Sequence, residues 1–98
     1  MCAKKGFHTI AAWEKADDLA VKVYEVTDLK KGYFPQHQLY SLTQQFQKAA
    51  VSVAANIAEG SGRESIRAYI YFLSIARGSL TEVEYYIHLA HRKKYLPA

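Results

Sequence analysis

Apolar and small residues in the middle of the chain recur at alternating intervals of four and three, the spacing of a helical seam that faces a partner helix. Residues 42–58 contain one charged side chain, Lys48, although 22% of all residues are charged. A segment with so few charges has little surface to present to water. We therefore predict a central helix over about residues 41–60, with a seam formed by Leu42, Phe46, Ala49, Val53, Ile57 and Gly60.

The central helix has a second row of small residues on another side, consisting of Ala50, Ala54 and Ala58. We expect this row to meet a neighbouring subunit, because small side chains let another backbone approach closely. Ser41 and Gln44 have the spacing of a capping box at the start of the helix. Gly60 and Gly62 are expected to supply the positive backbone dihedral that ends it.

Helical periodicity predicts one further long helix on each side of the central one. The first covers about residues 10–30 and is followed by a break at Gly32 and Pro35. The third covers about residues 65–93, with Ser65 as its cap, and Gly78 inside it suggests close approach by another helix. Its predicted seam contains Ile66, Tyr69 or Ile70, Leu73, Ala76, Leu80, Val83, Ile87 and Ala90. No segment has strand-like alternation, so we expect one all-α domain over residues 1–98.

Composition narrows the class of protein only slightly. The formal net charge is +4, which permits a nucleic-acid partner without requiring one. One cysteine, Cys2, cannot form an internal disulfide framework. No run of 18 apolar residues is present to span a bilayer, and residues 1–10 are too polar for a signal peptide. We therefore expect a cytoplasmic protein with no membrane partner.

Catalytic and metal-binding signatures are missing from the sequence. It contains no nucleophile elbow, phosphate loop or dinucleotide fingerprint, so we expect neither enzymatic activity nor a cofactor. Glu84, His88 and His91 share a helix face by spacing, but the trio lacks a fourth zinc ligand in sequence. Solvated surface histidines are the favoured interpretation, and no metal site is predicted.

Four polar residues on the second and third helices are assigned structural or assembly roles: Asn56, Glu59, Arg77 and Glu82. Arg63 and Arg77 are the candidate partners of Asn56 and Glu59. The turn at residues 60–63 has two interpretations, a backbone nest for a phosphate or a helix-closing turn in which Arg63 pairs with Glu59. The second is favoured because the Lys-Ser/Thr of a phosphate loop is absent.

Basic residues provide the candidate nucleic-acid contacts, which are Lys4, Lys5, Lys30, Lys31, Arg63, Arg67, Arg92, Lys93 and Lys94. In an up-down-up arrangement the pair at 30–31 and the cluster at 92–94 fall at the same end of the bundle. Four aromatic residues lie near that end in sequence: Tyr33, Phe34, Tyr40 and Tyr95. They are candidates either for stacking on unpaired bases or for anchoring loops, and the second role is favoured.

Two blocks of the chain, LTQQFQKAAVSVAANIAEGSGR at 42–63 and YFLSIARGSLTEVE at 71–84, resemble the four-helix-bundle proteins encoded in intervening sequences of bacterial large-subunit ribosomal RNA genes. Trp13, Ala16 and Pro35 also fit, and the resemblance covers about residues 7–96. It implies an antiparallel up-down helical bundle that assembles into a ring-like homopentamer. It also implies similarity to the accessory protein of diversity-generating retroelements, which is basic, binds nucleic acid and partners a reverse transcriptase.

The sequence departs from this family in one respect. Family members usually continue beyond the position of Tyr95 and Leu96 into a further helix, whereas this sequence ends at Ala98. We expect the last helix to be absent or truncated, and the remaining apolar surface to be buried by self-association. The expected function is a non-enzymatic homo-oligomer, pentameric by resemblance, whose basic surface binds RNA or DNA. The alternative is a self-association or protein-interaction module without nucleic-acid binding. A reverse transcriptase is an expected partner if the gene belongs to a retroelement.

Overall fold

The computed structural model describes residues 6–97, and every regular element in that range is helical. Three long α-helices carry the fold: α1 (Ala11–Thr27), α2 (Gln44–Ser61) and α3 (Ile66–Arg92). The shorter elements are 3-10 turns at Gly6–Thr9, Leu29–Lys31 and Gln36–Gln38, and a π-helical turn at Leu39–Thr43. The predicted all-α class with three long helices is confirmed for this part of the chain.

Helix α2 is the centre of the fold, because both α1 and α3 pack chiefly against it. The predicted seam of α2 is buried from Phe46 through Val53 and Ile57 to Gly60. Ala50 and Ala54 are also buried within the single chain, so the prediction that they meet a neighbouring subunit is wrong, whereas Ala58 of the same row is half-buried. The physical reason is that α2 has two neighbours in its own chain, and each of them needs a face of α2.

The helix boundaries differ from the predicted ones where side chains compete for backbone groups. Helix α1 ends at Thr27, because Asp28 leaves the helical conformation and its carboxylate accepts the backbone N–H of Lys30 at 2.9 Å. The predicted capping box does not form. The Ser41 hydroxyl donates instead to the Gln38 side-chain oxygen at 2.6 Å, and the chain enters α2 through the π-helical turn. Ser65 caps α3 as predicted, with its hydroxyl accepting the N–H of Ala68 at 3.0 Å.

Two glycine predictions are also wrong. Gly62 has a φ of −87°, and Gly60 is not among the residues with positive φ. Gly60 is instead a contact point, because a Cβ there would lie 2.8 Å from the Phe72 Cβ. Gly78 was expected to mark a close helix approach, yet a Cβ at that position would meet nothing within 4 Å.

Helix α3 turns only part of its predicted seam to the core, namely Ala76, Val83 and Ala90. Its fully buried residues are Ala76, Ser79, Val83 and Ala90. The predicted seam combined residues of this face with residues of a neighbouring one. Apolar residues occupy both faces, and periodicity alone does not show which of the two is buried. The second face remains exposed in the single chain. We call it the apolar stripe, and it contains Ile66, Ile70, Leu73, Leu80 and Ile87.

Candidate nucleic-acid interface

The loop after α1 and the end of α3 meet at one end of the molecule. They form an open groove of about 680 Å³, the end groove, lined by Gly32, Tyr33, His91, Arg92, Lys94, Tyr95, Leu96 and Pro97. Exposed cations surround it, since Lys30 and Lys31 directly precede Gly32 and Lys93 lies between two lining residues. We call Lys30, Lys31, Arg92, Lys93 and Lys94 the basic end. Within residues 6–97, none of these five side chains is paired with a carboxylate.

Each wall of the end groove turns at a residue in the left-handed region. Gly32 has a φ of +74° and closes the 3-10 turn, where its N–H donates to the Leu29 carbonyl at 3.1 Å. Lys94 has a φ of +64°, and the N–H of the next residue, Tyr95, donates to the Ala90 carbonyl at 2.8 Å. This pattern is a Schellman motif, in which glycine normally occupies the left-handed position. A side chain there costs about 1 kcal/mol.

The aromatic residues near the basic end have separate roles. Phe34 is buried, and its ring centroid lies 6.0 Å from that of Phe46 and 5.6 Å from that of Tyr95. Tyr95 is half-buried, and its hydroxyl accepts from the Gln38 side-chain amide at 3.4 Å. Phe34 and Tyr95 therefore anchor the loop to the end of α3. Tyr33 is 42% exposed, and no aromatic ring of the described chain packs on it.

The remaining predicted basic contacts lie elsewhere. Arg63 lies in the turn before α3 and Arg67 in its first turn, and the 27-residue length of that helix places both about 40 Å from Arg92. Arg63 pairs with Glu59, and its guanidinium lies 4.9 Å from the centroid of the Phe72 ring. These contacts favour the helix-closing interpretation of the turn at 60–63. Lys4 and Lys5 lie outside the described residues.

The polar residues assigned to structure or assembly make mainly local contacts. The Asn56 amide donates to the Ser52 carbonyl at 2.8 Å and to the Ser52 hydroxyl at 2.9 Å. The Ser52 hydroxyl also bonds to that of Ser79 at 2.7 Å, which links α2 to α3. Within residues 6–97, Asn56 therefore pairs with neither Arg63 nor Arg77; its contacts are to Ser52, and Arg63 pairs with Glu59.

Arg77 and Glu82 are exposed on α3. Their side chains form no hydrogen bond or ion pair with the rest of residues 6–97. Of the ion pairs expected among these polar residues, Glu59 with Arg63 is the only one that forms within residues 6–97.

The described residues contain neither a metal-binding cluster nor a membrane-spanning helix. Glu84, His88 and His91 are all exposed, and no cluster of three or more potential ligands is present in the described chain. Across residues 6–97, none of the helices combines the length and apolarity needed to cross a bilayer.

Sequence reasoning identified the cations of the basic end but missed the left-handed turn at Lys94. The sequence contains no direct signal of that turn. Glycine is the usual residue at a left-handed helix end, and none occurs among residues 93–97.

Comparison with known proteins identifies the family of this chain. A comparison with curated proteins found no match. A family model described as 23S rRNA-intervening sequence protein matches residues 8–98, which is nearly the whole chain. The protein therefore belongs to the 23S rRNA-intervening sequence protein family.

Proposed function

We propose that this protein is a non-enzymatic, homo-oligomeric helical-bundle protein whose basic end binds RNA or DNA through the phosphate backbone. The observation that carries the proposal is the convergence of five unpaired cations around one groove, two from the loop after α1 and three from the end of α3. Unpaired Lys and Arg side chains attract phosphates and release counterions from nucleic acid. Repetition of the basic end in an oligomer would add avidity to weak single contacts.

An antiparallel up-down arrangement of the helices is part of this proposal. Contacts between α2 and α3 support it, because successive residues along α2 contact residues of α3 with decreasing sequence numbers. The Phe46 ring centroid lies 6.2 Å from that of Tyr86, and the Ser52 hydroxyl bonds to Ser79. Gly60, near the end of α2, approaches Phe72. In this arrangement α1 and α3 finish at the same end, which accounts for the clustering of the cations.

The test is binding to a fluorescently labelled fragment of ribosomal RNA, measured by anisotropy at low and moderate salt. The double variant Arg92→Glu/Lys93→Glu should weaken binding about ten-fold or more, because it reverses two charges at the basic end. Lys22→Glu/Lys48→Glu is the matched control, since it makes the same change in net charge at exposed positions on α1 and α2. Absence of wild-type binding at low salt, or equal losses in both double variants, would refute the proposal.

A second candidate function is an assembly module that binds only copies of itself or other proteins. The apolar stripe favours it, because Ile66 and Ile70 are 77% and 59% exposed in the single chain. A pentamer would have a mass five times that of the 11.1 kDa chain by light scattering. Ile66→Glu/Ile70→Glu should lower that mass while leaving helicity unchanged. Tyr40→Glu is the control at an exposed position outside the stripe.

These two functions make different predictions for the basic end. The assembly module predicts an oligomer whose partners are indifferent to Arg92→Glu/Lys93→Glu. The nucleic-acid-binding protein predicts an oligomer of unchanged mass that loses RNA binding in the same variant.

A further inference from the structure

The end groove has both the size and the surface of a site for one nucleotide. Its volume of about 680 Å³ lies within the range of small-molecule sites. Tyr33 and Tyr95 give it aromatic surface, whereas Arg92 and Lys94 give it positive charge. Among residues 6–97, none of those lining it is acidic. Aromatic rings beside cations are the combination that unpaired nucleotides require, because the base stacks while the phosphate needs a positive partner.

Tyr33 is available for such stacking in a way that its neighbours are not. Phe34 and Tyr95 are engaged with each other and with the core, so they support the groove. Tyr33 follows Gly32, and its ring has no aromatic partner in the described chain. The exposed Tyr33 ring therefore presents a flat surface to a base, in a groove that the packed Tyr95 ring also lines.

Lys94 gives a second, independent indication. Its left-handed backbone would be more favourable with glycine, and the Schellman hydrogen bonds do not depend on the side chain. Interaction with the helix dipole explains a cation in the last turn, but not one in a disfavoured conformation beyond that turn. Strained residues of this kind occur at binding sites, where the side chain has a use that offsets the strain.

We propose that the end groove binds a single unpaired nucleotide of a nucleic-acid strand, with the base stacked on Tyr33 and the adjacent phosphate held by Arg92 and Lys94. The proposal rests on the proposed function, and adds to it a preference for unpaired over paired strands. A base inside a duplex is covered on both faces and cannot reach the ring, whereas its phosphates can still contact the basic end.

The experiment compares a short single-stranded RNA with a fully paired RNA of the same length, by anisotropy at one low salt concentration. Tyr33→Leu should weaken binding of the single strand roughly ten-fold and leave duplex binding unchanged. Tyr71→Leu is the matched control, because it makes the same change at a 60% exposed tyrosine near the other end of α3. It should alter neither affinity.

Lys94→Gly separates a binding role from a structural one. Relief of the left-handed strain should raise the thermal midpoint of unfolding by about 4 °C or more. Loss of the cation should weaken RNA binding, and the slope of log affinity against log salt concentration should fall by about one, the value for one phosphate contact. A merely structural lysine would give a more stable protein with unchanged binding, which would overturn its assignment to the site.

The outcomes distinguish the two proposals. If the wild-type protein binds neither RNA, the proposed function itself fails and the nucleotide site fails with it. If it binds both RNAs and Tyr33→Leu behaves like Tyr71→Leu, only the nucleotide site is refuted. Loss of single-strand binding in Tyr33→Leu alone is the result that we expect.

Discussion

The close contact between α2 and α3 at Gly60 allows a quantitative test of the packing. A Cβ at this position would lie 2.8 Å from the Phe72 Cβ, 3.0 Å from the Tyr69 Cδ1 and 3.3 Å from the Tyr69 carbonyl oxygen. The Cβ of Phe72 cannot move away by a change of rotamer, because it is attached directly to the backbone of α3. Gly60→Ala therefore requires the two helices to separate locally.

The magnitude follows from two opposing effects. Alanine is more favourable than glycine in a helix by about 1 kcal/mol, although less so in a last turn. Overpacking of a well-packed contact costs about 1–3 kcal/mol. We therefore expect Gly60→Ala to lower the free energy of unfolding by about 1 kcal/mol, equivalent to a fall in the thermal midpoint of about 4–8 °C for a domain of this size.

Gly78→Ala is the matched control, because a Cβ at Gly78 would meet nothing within 4 Å. The same substitution should there raise the free energy of unfolding by about 1 kcal/mol through helix propensity alone. Both variants are measured by thermal and urea denaturation at one protomer concentration, since self-association would make stability depend on concentration. A Gly60→Ala protein as stable as Gly78→Ala would show that α2 and α3 do not pack as closely as described.

Three further predictions concern the interior. Thr43→Val should raise the free energy of unfolding by about 1 kcal/mol, because the buried Thr43 hydroxyl has no hydrogen-bond partner in the part of the chain that the structure describes. A lower free energy of unfolding by urea denaturation would show that the hydroxyl does have a partner. Phe46→Ala should lower it by about 3–5 kcal/mol, since Phe46 is 1% exposed, and a loss below 1 kcal/mol would contradict its place in the core. A double-mutant cycle of Ser52→Ala and Ser79→Ala should give a coupling energy of about 1 kcal/mol for their 2.7 Å hydrogen bond, whereas additive losses would mean that the bond contributes nothing.

The basic end and the apolar stripe occupy different parts of the molecular surface. Cations and an exposed tyrosine lie at the end where α3 finishes, whereas the apolar stripe follows an exposed face of the same helix from Ile66 to Ile87. The proposed nucleic-acid binding and the alternative of self-association therefore require different residues of α3. Because of this separation, a variant of the basic end tests nucleic-acid binding and a variant of the apolar stripe tests self-association.

Much of the candidate site could be predicted from the sequence, because formal charges and aromatic rings are properties of residue types. Arg92, Lys93 and Lys94 were identified as cations without any coordinates, and so were Lys30 and Lys31. The path of the loop after α1 decides that these cations lie around one groove together with Tyr33. The break at Gly32 follows from the sequence pattern, whereas the burial of Phe34 depends on its contacts with the distant residues Phe46 and Tyr95.

The sequence by itself determined that the protein is helical and that its low-charge middle segment is central, because periodicity and the cost of burying charge are local properties. Only the tertiary structure decided which apolar faces are covered. Ala50 and Ala54 are buried inside the chain, whereas Leu80 and Ile87 stay exposed, although alanine is the less hydrophobic residue. Burial depends on which faces find a partner helix, and that choice is made by long-range contacts such as the one between Gly60 and Phe72.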